Sequence, residues 1–292
     1  MPIFEMIRYH KREYPDDIPI TVQEIAGNFD VKAIAPSISY SLHTEYSYGK
    51  RNFKNSYLDK YPNIVNANKN GVPMLWYDTA WAVDFANFII DLTSDCVHPK
   101  YIEIHPPFSD YTNSLHTFME KYKFFEDIIL NYYPGTQILI ENRSGSEYRK
   151  GVFCVSTVEQ SLELANELAK ANSSLRITLD IPALYTAHGD VILRDKSLYG
   201  KLLNNLVEIR DYIAGVHLWG KRTTEKGRRA VHAGDLNSYF LGDEEAKNIF
   251  LSSIHNLFND GVKRNMVLEV NSKNDDMLSI IRDLQSNGFL FK

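Results

Sequence analysis

Ile138-Leu139-Ile140-Glu141-Asn142-Arg143-Ser144-Gly145 is the stretch on which the fold turns. Three apolar residues lead straight into a carboxylate, and polar residues with a glycine follow. An unbroken apolar run is the signature of a strand covered on both faces, as in a buried parallel sheet. A glutamate at its end stands where such sheets keep their chemistry, outside the carboxyl ends of the strands. The same order recurs along the chain. Tyr101-Ile102-Glu103-Ile104-His105 and Ile213-Ala214-Gly215-Val216-His217 end in histidine. Arg176-Ile177-Thr178-Leu179-Asp180 ends in aspartate, and Met266-Val267-Leu268-Glu269 in glutamate.

Between these runs the apolar spacing is helical. Helices are expected over 79–93, up to Tyr133 before the Pro134-Gly135 stop, and from an N-cap at Ser156 with Glu159 as its capping-box partner. Further helices are expected at about 197–212, 243–259 and 275–287. Residues 3–9, 31–40 and 72–77 supply three more candidate strands. The polar, aromatic stretch from Ser41 to Gly71 is too long for a plain connection and is read as functional or partly helical. Eight strands alternating with helices argue a parallel sheet. The recurrence of ligands at five strand ends favours a closed (β/α)8 TIM barrel over an open sheet, as a single domain spanning 1–292.

Composition limits what such a barrel does. The 292 residues suit one barrel with long loops. A formal charge of −5 gives no global attraction to nucleic acid. Cys96 and Cys154 are the only cysteines, too few for a disulfide framework or a thiolate zinc site, which suits a reducing cytoplasm. Charges from Glu5 onward exclude a signal core, and no run is long enough to span a membrane. The expectation is a cytoplasmic protein with no membrane partner.

Glu141, Asp180, His217 and Glu269 offer carboxylate oxygen and imidazole nitrogen. That donor set suits one or two divalent ions, zinc foremost, with manganese, iron or cobalt also suited. The loop Lys221-Arg222-Thr223-Thr224-Glu225-Lys226-Gly227-Arg228-Arg229 is basic in an acidic chain. Lys221, Arg222, Arg228 and Arg229 are therefore candidate phosphate-binding residues, against the alternative of a solvated loop. His232 follows this loop and is a further candidate for binding the substrate or its phosphate. Tyr46 and Trp219 are candidates to stack on a base or a sugar.

The strand-end ligands resemble the xylose isomerase-like barrel superfamily, and within it most nearly the endonuclease IV family (AP endonuclease family 2) of metal-dependent abasic-site nucleases. Glu141-Asn142-Arg143-Ser144-Gly145 resembles that family's Glu-Asn-Thr-Ala-Gly. Ile104-His105-Pro106, Val216-His217-Leu218 and Leu268-Glu269 resemble its His-Pro, Met-His-Leu and Leu-Glu-Thr segments. Asp180, with Asp190 ten residues on, resembles its Asp-Thr-Cys-His segment. The resemblance implies that Glu141 bridges two metals, with Asp180, His217 and Glu269 on one and His105 on the other. Ser41-Leu42-His43-Thr44-Glu45-Tyr46 is similar to its Ser-x-His-x-Pro-Tyr, with Glu45 in place of proline, and makes His43 a further ligand. If 72–77 is the third strand, Asp78 takes that place instead. The family's third metal fits poorly. Ala183 stands where a histidine belongs, and only Ala230-Val231-His232 matches the later Asp-x-His, unless His188 or Asp235 substitutes.

The implied activity is hydrolysis of a phosphodiester, in abasic-site DNA or a related substrate, by a metal-activated water. Glu141 and Glu269 would be the catalytic carboxylates. The alternative is a metal-dependent sugar or sugar-phosphate isomerase or epimerase using Glu141 and Glu269 as an acid/base pair. The partner is thus DNA or a phosphorylated small molecule. A barrel that keeps its metal but only binds is the third and least favoured reading.

Overall fold

In the computed structural model the described residues are 1–146, 151–189 and 191–292; Asp190 lies outside them. Eight strands form the principal sheet: β1 (Ile3–Arg8), β2 (Ile20–Gly27), β3 (Ser39–Thr44), β4 (Tyr101–Ile104), β5 (Gln137–Glu141), β6 (Arg176–Asp180), β7 (Ile213–Leu218) and β8 (Lys263–Leu268). They pair in sequence order, β8 pairs back to β1, and a two-residue strand at Leu290–Phe291 also pairs with β1. The fold class is the (β/α)8 barrel. The strand that carries Glu141 is buried at its last four positions, as its continuous apolar run requires.

The chain divides into two compact units, Gln23–Ile177 and Met1–Val22 with Thr178–Lys292. In the first, β3 and β4 run parallel with His43 opposite Glu103. β4 and β5 run parallel with Ile104 opposite Ile140. One step further along both strands, His105 and Glu141 fall side by side. Helices α1 (Thr79–Thr93), α2 (Leu115–Tyr132) and α3 (Val158–Ala171) follow β3, β4 and β5. α1 and α2 pack through aromatic rings. Trp76, Trp81, Phe85, Phe118, Tyr122 and Phe125 are all 1% exposed or less, and their T-shaped pairs add to the burial term.

In the second unit β1, β8 and β7 are parallel neighbours, with Asn265 opposite both Glu5 and Gly215. Gly215 has no side chain because Thr178 and Asn265 use the space. A Cβ there would lie 2.6 Å from Thr178 Oγ1 and 2.7 Å from Asn265 Oδ1. The longer helices of this unit are α4 (Ile181–Ala187), α5 (Ser197–Asn205), α6 (Glu244–Phe258) and α7 (Asn274–Ser286).

Four expectations need correction. Residues 31–36 form no strand, and the second and third strands are 20–27 and 39–44 instead. Val72–Tyr77 is not a barrel strand. Only Val72–Pro73 is extended, in a hairpin with Asn68–Lys69, and Trp76 turns away with φ of +60°. The cap of α3 is Thr157, not Ser156. Its side chain accepts from Gln160 N, and Gln160, not Glu159, closes the box. The helix expected at 197–212 ends at Asn205 and continues as a 3-10 turn, Val207–Tyr212. The stretch from Ser41 to Gly71 is partly helical, with a 3-10 turn at Ser56–Lys60 and a short helix at Pro62–Asn66.

Candidate metal centre

Register alone brings the first group of ligands together. His43 on β3, His105 just past β4 and Glu141 at the end of β5 have ligand atoms all within 4.8 Å of one another. His105 Nε2 lies 3.0 Å from His43 Nε2 and 2.7 Å from Glu141 Oε2. His43 Nε2 is 3.6 Å from the same oxygen.

The opposite ring nitrogens decide what these atoms present. His105 Nδ1 lies 3.0 Å from the Glu45 carbonyl oxygen, which only accepts, so that nitrogen carries the hydrogen and donates it. Burial outweighs Glu141 and lowers the His105 pKa, which favours the neutral ring with one N–H. Its Nε2 therefore turns a lone pair on Glu141. His43 Nδ1 lies 2.6 Å from Glu24 Oε1 and donates to it in the same way. Burial works against charge on His43, but Glu24, Glu141 and Glu103 outweigh it and raise its pKa well above the ordinary histidine range. Lone pairs of two imidazoles and a carboxylate thus converge, and only a cation between them, a proton or a metal ion, reconciles them. A histidine that donates its far N–H to a carboxylate or a carbonyl is oriented as a metal ligand.

The surroundings brace this arrangement. Trp76 Nε1 donates to the His105 carbonyl at 2.7 Å. Glu45, fully buried, accepts from Phe29 N, Ser47 N and Arg51 Nε. The Arg51 guanidinium lies 4.8 Å over the Tyr46 ring, and Tyr46 stands edge-on to His105 at 6.1 Å. Tyr46 is therefore held against the ligand rather than projecting from it. Arg143 donates from one nitrogen to both Glu141 oxygens at 3.2 Å. Asp78 is the N-cap of α1, accepting from Trp81 N at 2.7 Å.

In the other unit His217 Nδ1 and Glu269 Oε1 are 3.5 Å apart, both side chains buried. His232 Nδ1 lies 3.2 Å from the Glu269 carbonyl oxygen, and the His232 ring stacks on Trp219 at 4.4 Å. Asp180 is engaged differently. Its Oδ1 caps α4 by accepting from Ala183 N at 2.9 Å, and its Oδ2 accepts from Trp219 Nε1 at 3.1 Å. Among the described residues it belongs to no group of three close metal-capable side chains. Asp235 caps the short helix Leu236–Tyr239 and accepts from Ser279 Oγ. Ala183 supplies only its backbone N–H, and His188 ends α4 as its C-cap.

The basic loop is a hairpin, Lys221–Thr223 against Arg229–Val231. Two of its four expected phosphate contacts are spent inside the unit. Arg222 pairs with Asp276, and one Arg229 nitrogen donates to the carbonyls of Lys221, Ser238 and Tyr239. Lys221 donates to Thr186 Oγ1 at 2.7 Å and lies over the Trp219 and Tyr239 rings. Burial and Arg229 lower its pKa. Arg228 is exposed.

Two glutamates of the site were not expected from sequence. Glu24 lies within β2, a strand that was itself missed. Glu103 was visible, because it precedes His105 by two residues on one strand and shares its face.

No family model matches the sequence, and no curated protein matches it significantly. Among solved structures, the chain is similar to a D-tagatose 3-epimerase-like protein, at 14% identity and a TM-score of 0.46 over 92% of this chain and 89% of that one. It is also similar to a sugar phosphate isomerase/epimerase from Parabacteroides distasonis, at 11% identity and a TM-score of 0.34 over 85% and 86%. Likenesses this distant carry no argument about chemistry, which rests on the side chains.

Proposed function

We propose that this barrel is a divalent-metal-dependent enzyme that isomerises or epimerises a sugar or sugar phosphate. The observation that carries the reading is the convergence of His43 Nε2, His105 Nε2 and Glu141 Oε2, with both Nδ1 atoms turned outward as donors.

Two features favour this over phosphodiester hydrolysis. Arg143 puts a fixed positive charge on both oxygens of Glu141, which weakens that carboxylate as a bridge between two metals and suits one-metal chemistry. The basic loop keeps Arg222 and Arg229 for internal contacts, so it offers no row of cations to successive phosphates. A bound divalent ion supplies Lewis-acid polarisation of a carbonyl and its neighbouring hydroxyl. Glu269 takes the proton from the carbon beside that carbonyl and Glu141 is its acid/base partner. His217 and His232 lie beside Glu269, each with its Nδ1 3.5 Å from a Glu269 carboxylate oxygen. Lys221 and Arg228 are the loop cations proposed to meet a phosphate.

The test uses protein purified without chelator. Its metal content is counted, and aldoses, ketoses and their phosphates are incubated with it in deuterium oxide. Deuterium at the carbon next to the carbonyl, with one ion per chain and no nicking of abasic DNA, is the expected result. Nicking without deuterium exchange, with two ions per chain, supports the hydrolase instead.

A further inference from the structure

We infer that Arg143 is a specificity residue of this site, and that the edge formed by its Nε and Nη2 holds an oxyanion of the substrate. The inference deepens the sugar-isomerase reading above and rests on it for the substrate, which becomes a sugar acid or a sugar phosphate and not a neutral sugar. The guanidinium is fixed on several sides. Its Nη1 donates to both Glu141 oxygens at 3.2 Å. Its Cζ lies over the Phe153 ring, 5.4 Å from the centroid. Phe153 in turn stacks on Phe108 at 3.9 Å, and both rings are buried. The Arg143 backbone N donates to the Val155 carbonyl at 2.8 Å.

What this pairing leaves over carries the inference. In a guanidinium the Nε–H and one Nη2–H run parallel along one edge, and together they match two oxygens of a carboxylate or a phosphate. An ion pair with Glu141 through that edge would have used both donors. Glu141 takes Nη1 instead, on the other side of the group. Among the described residues Nε and Nη2 donate to no partner, and neither atom is buried. The edge is therefore a rigid, accessible fork on a side chain that is otherwise packed. Its place ties it to the chemistry. Glu141 Oε2 accepts from Arg143 and lies 2.7 Å from His105 Nε2, so an oxyanion on the fork binds beside the atoms that would hold the ion. A lysine would supply the charge but not the two parallel donors.

Glycerate, glycerol 3-phosphate and glycerol are the probes, one carbon skeleton with a carboxylate, a phosphate or neither. Each is titrated calorimetrically into wild-type protein and into Arg143→Lys, with the metal content of both counted. Wild type is expected to bind one of the two anions about tenfold or more tighter than glycerol, as a charge-assisted bidentate pair allows. Arg143→Lys is expected to lose most of that preference, and the anion whose affinity falls identifies the group that the fork holds. A wild type with no preference for either anion, or a preference that Arg143→Lys keeps in full, would overturn the inference. Anion binding that depends on Arg143 in a wild type without any ion would support the fork and overturn the metal reading, so the two fail separately. Should Arg143→Lys not fold, a crystal structure of wild type with the bound anion decides. Anion oxygens at about 3 Å from Nε and Nη2 support the inference, and an anion bound elsewhere refutes it.

Discussion

At the scale of single residues, the site is set by which nitrogen of each histidine keeps its hydrogen. Glu24 and the Glu45 carbonyl fix the Nδ1–H of His43 and His105, and so turn both Nε2 atoms inward. Glu24→Ala removes one of these anchors without touching a ligand. Metal affinity is expected to fall about 10–100-fold, as it does when such outer partners are lost. Competition against a chromophoric chelator measures it, and an unchanged affinity would remove Glu24 from the site. Arg143 makes a second residue-scale prediction. Arg143→Thr frees both Glu141 oxygens from the guanidinium. Ion content per chain is expected to rise from one toward two by elemental analysis. A count that stays at one would mean that the guanidinium does not limit Glu141.

At the scale of elements, the strands that carry chemistry were legible because burial on both faces demands unbroken apolar runs, and those runs end in ligands. The strands of 20–27 and 39–44 were harder. In β2 only Val22 and Gly27 are buried, so Ile20-Thr21-Val22-Gln23-Glu24-Ile25-Ala26-Gly27 shows no such run. Val31 to Ile38 looked more strand-like, yet Pro36 cannot donate to a ladder and residues 31–36 stay irregular. Losing that strand also hid Glu24. Asp180 shows the opposite limit, since a carboxylate at a strand end is also at a helix start and caps it.

The start of β8 carries an element-scale prediction. Arg264 pairs with Asp260 in the preceding turn at 2.7 Å, and both side chains are buried. The hydrogen bonds from Arg264 outweigh burial and lower the Asp260 pKa. A lowered folded value means the pair stabilises above the unfolded aspartate pKa of about 3.9. That contribution is lost as pH falls from there toward the folded value. Asp260→Asn leaves Arg264 without its charge partner, at a cost of about 3 kcal/mol near neutral pH. Urea unfolding of both proteins is expected to show this difference at pH 7 and its narrowing below about pH 4. A difference that does not depend on pH would show that packing, not charge, holds the turn.

At the scale of the whole molecule, charge separates the two function classes, and here the structure redirects a reading made from sequence. Four cations in one loop of an acidic chain look like a phosphate-binding surface. Two of them instead tie the hairpin to its own unit: Arg222 to Asp276 in α7, and Arg229 to the carbonyls of Ser238 and Tyr239. Arg222→Ala and Arg229→Ala should therefore act on stability. A partly exposed pair such as Arg222–Asp276 contributes up to about 1 kcal/mol. In a chain of this size that is a fall in melting temperature of about 2 °C. Neither variant should change the apparent affinity for a phosphorylated sugar. Lys221→Ala should raise KM for the phosphorylated substrate more than for its unphosphorylated counterpart, because Lys221 is the partly buried cation of the loop. DNA distinguishes the classes most sharply. Each phosphate neutralised adds about 0.9 to the slope of log affinity against log salt. A nuclease groove using all four cations would show a slope of roughly three to four, lowered by each substitution. A chain with a net charge of −5 and two of those cations engaged internally should show weak DNA binding. Its salt slope should be near one or below, and substitution of Arg222 or Arg229 should not move it. A steep slope in the wild type that falls by about one unit with each substitution would return the protein to the nuclease class.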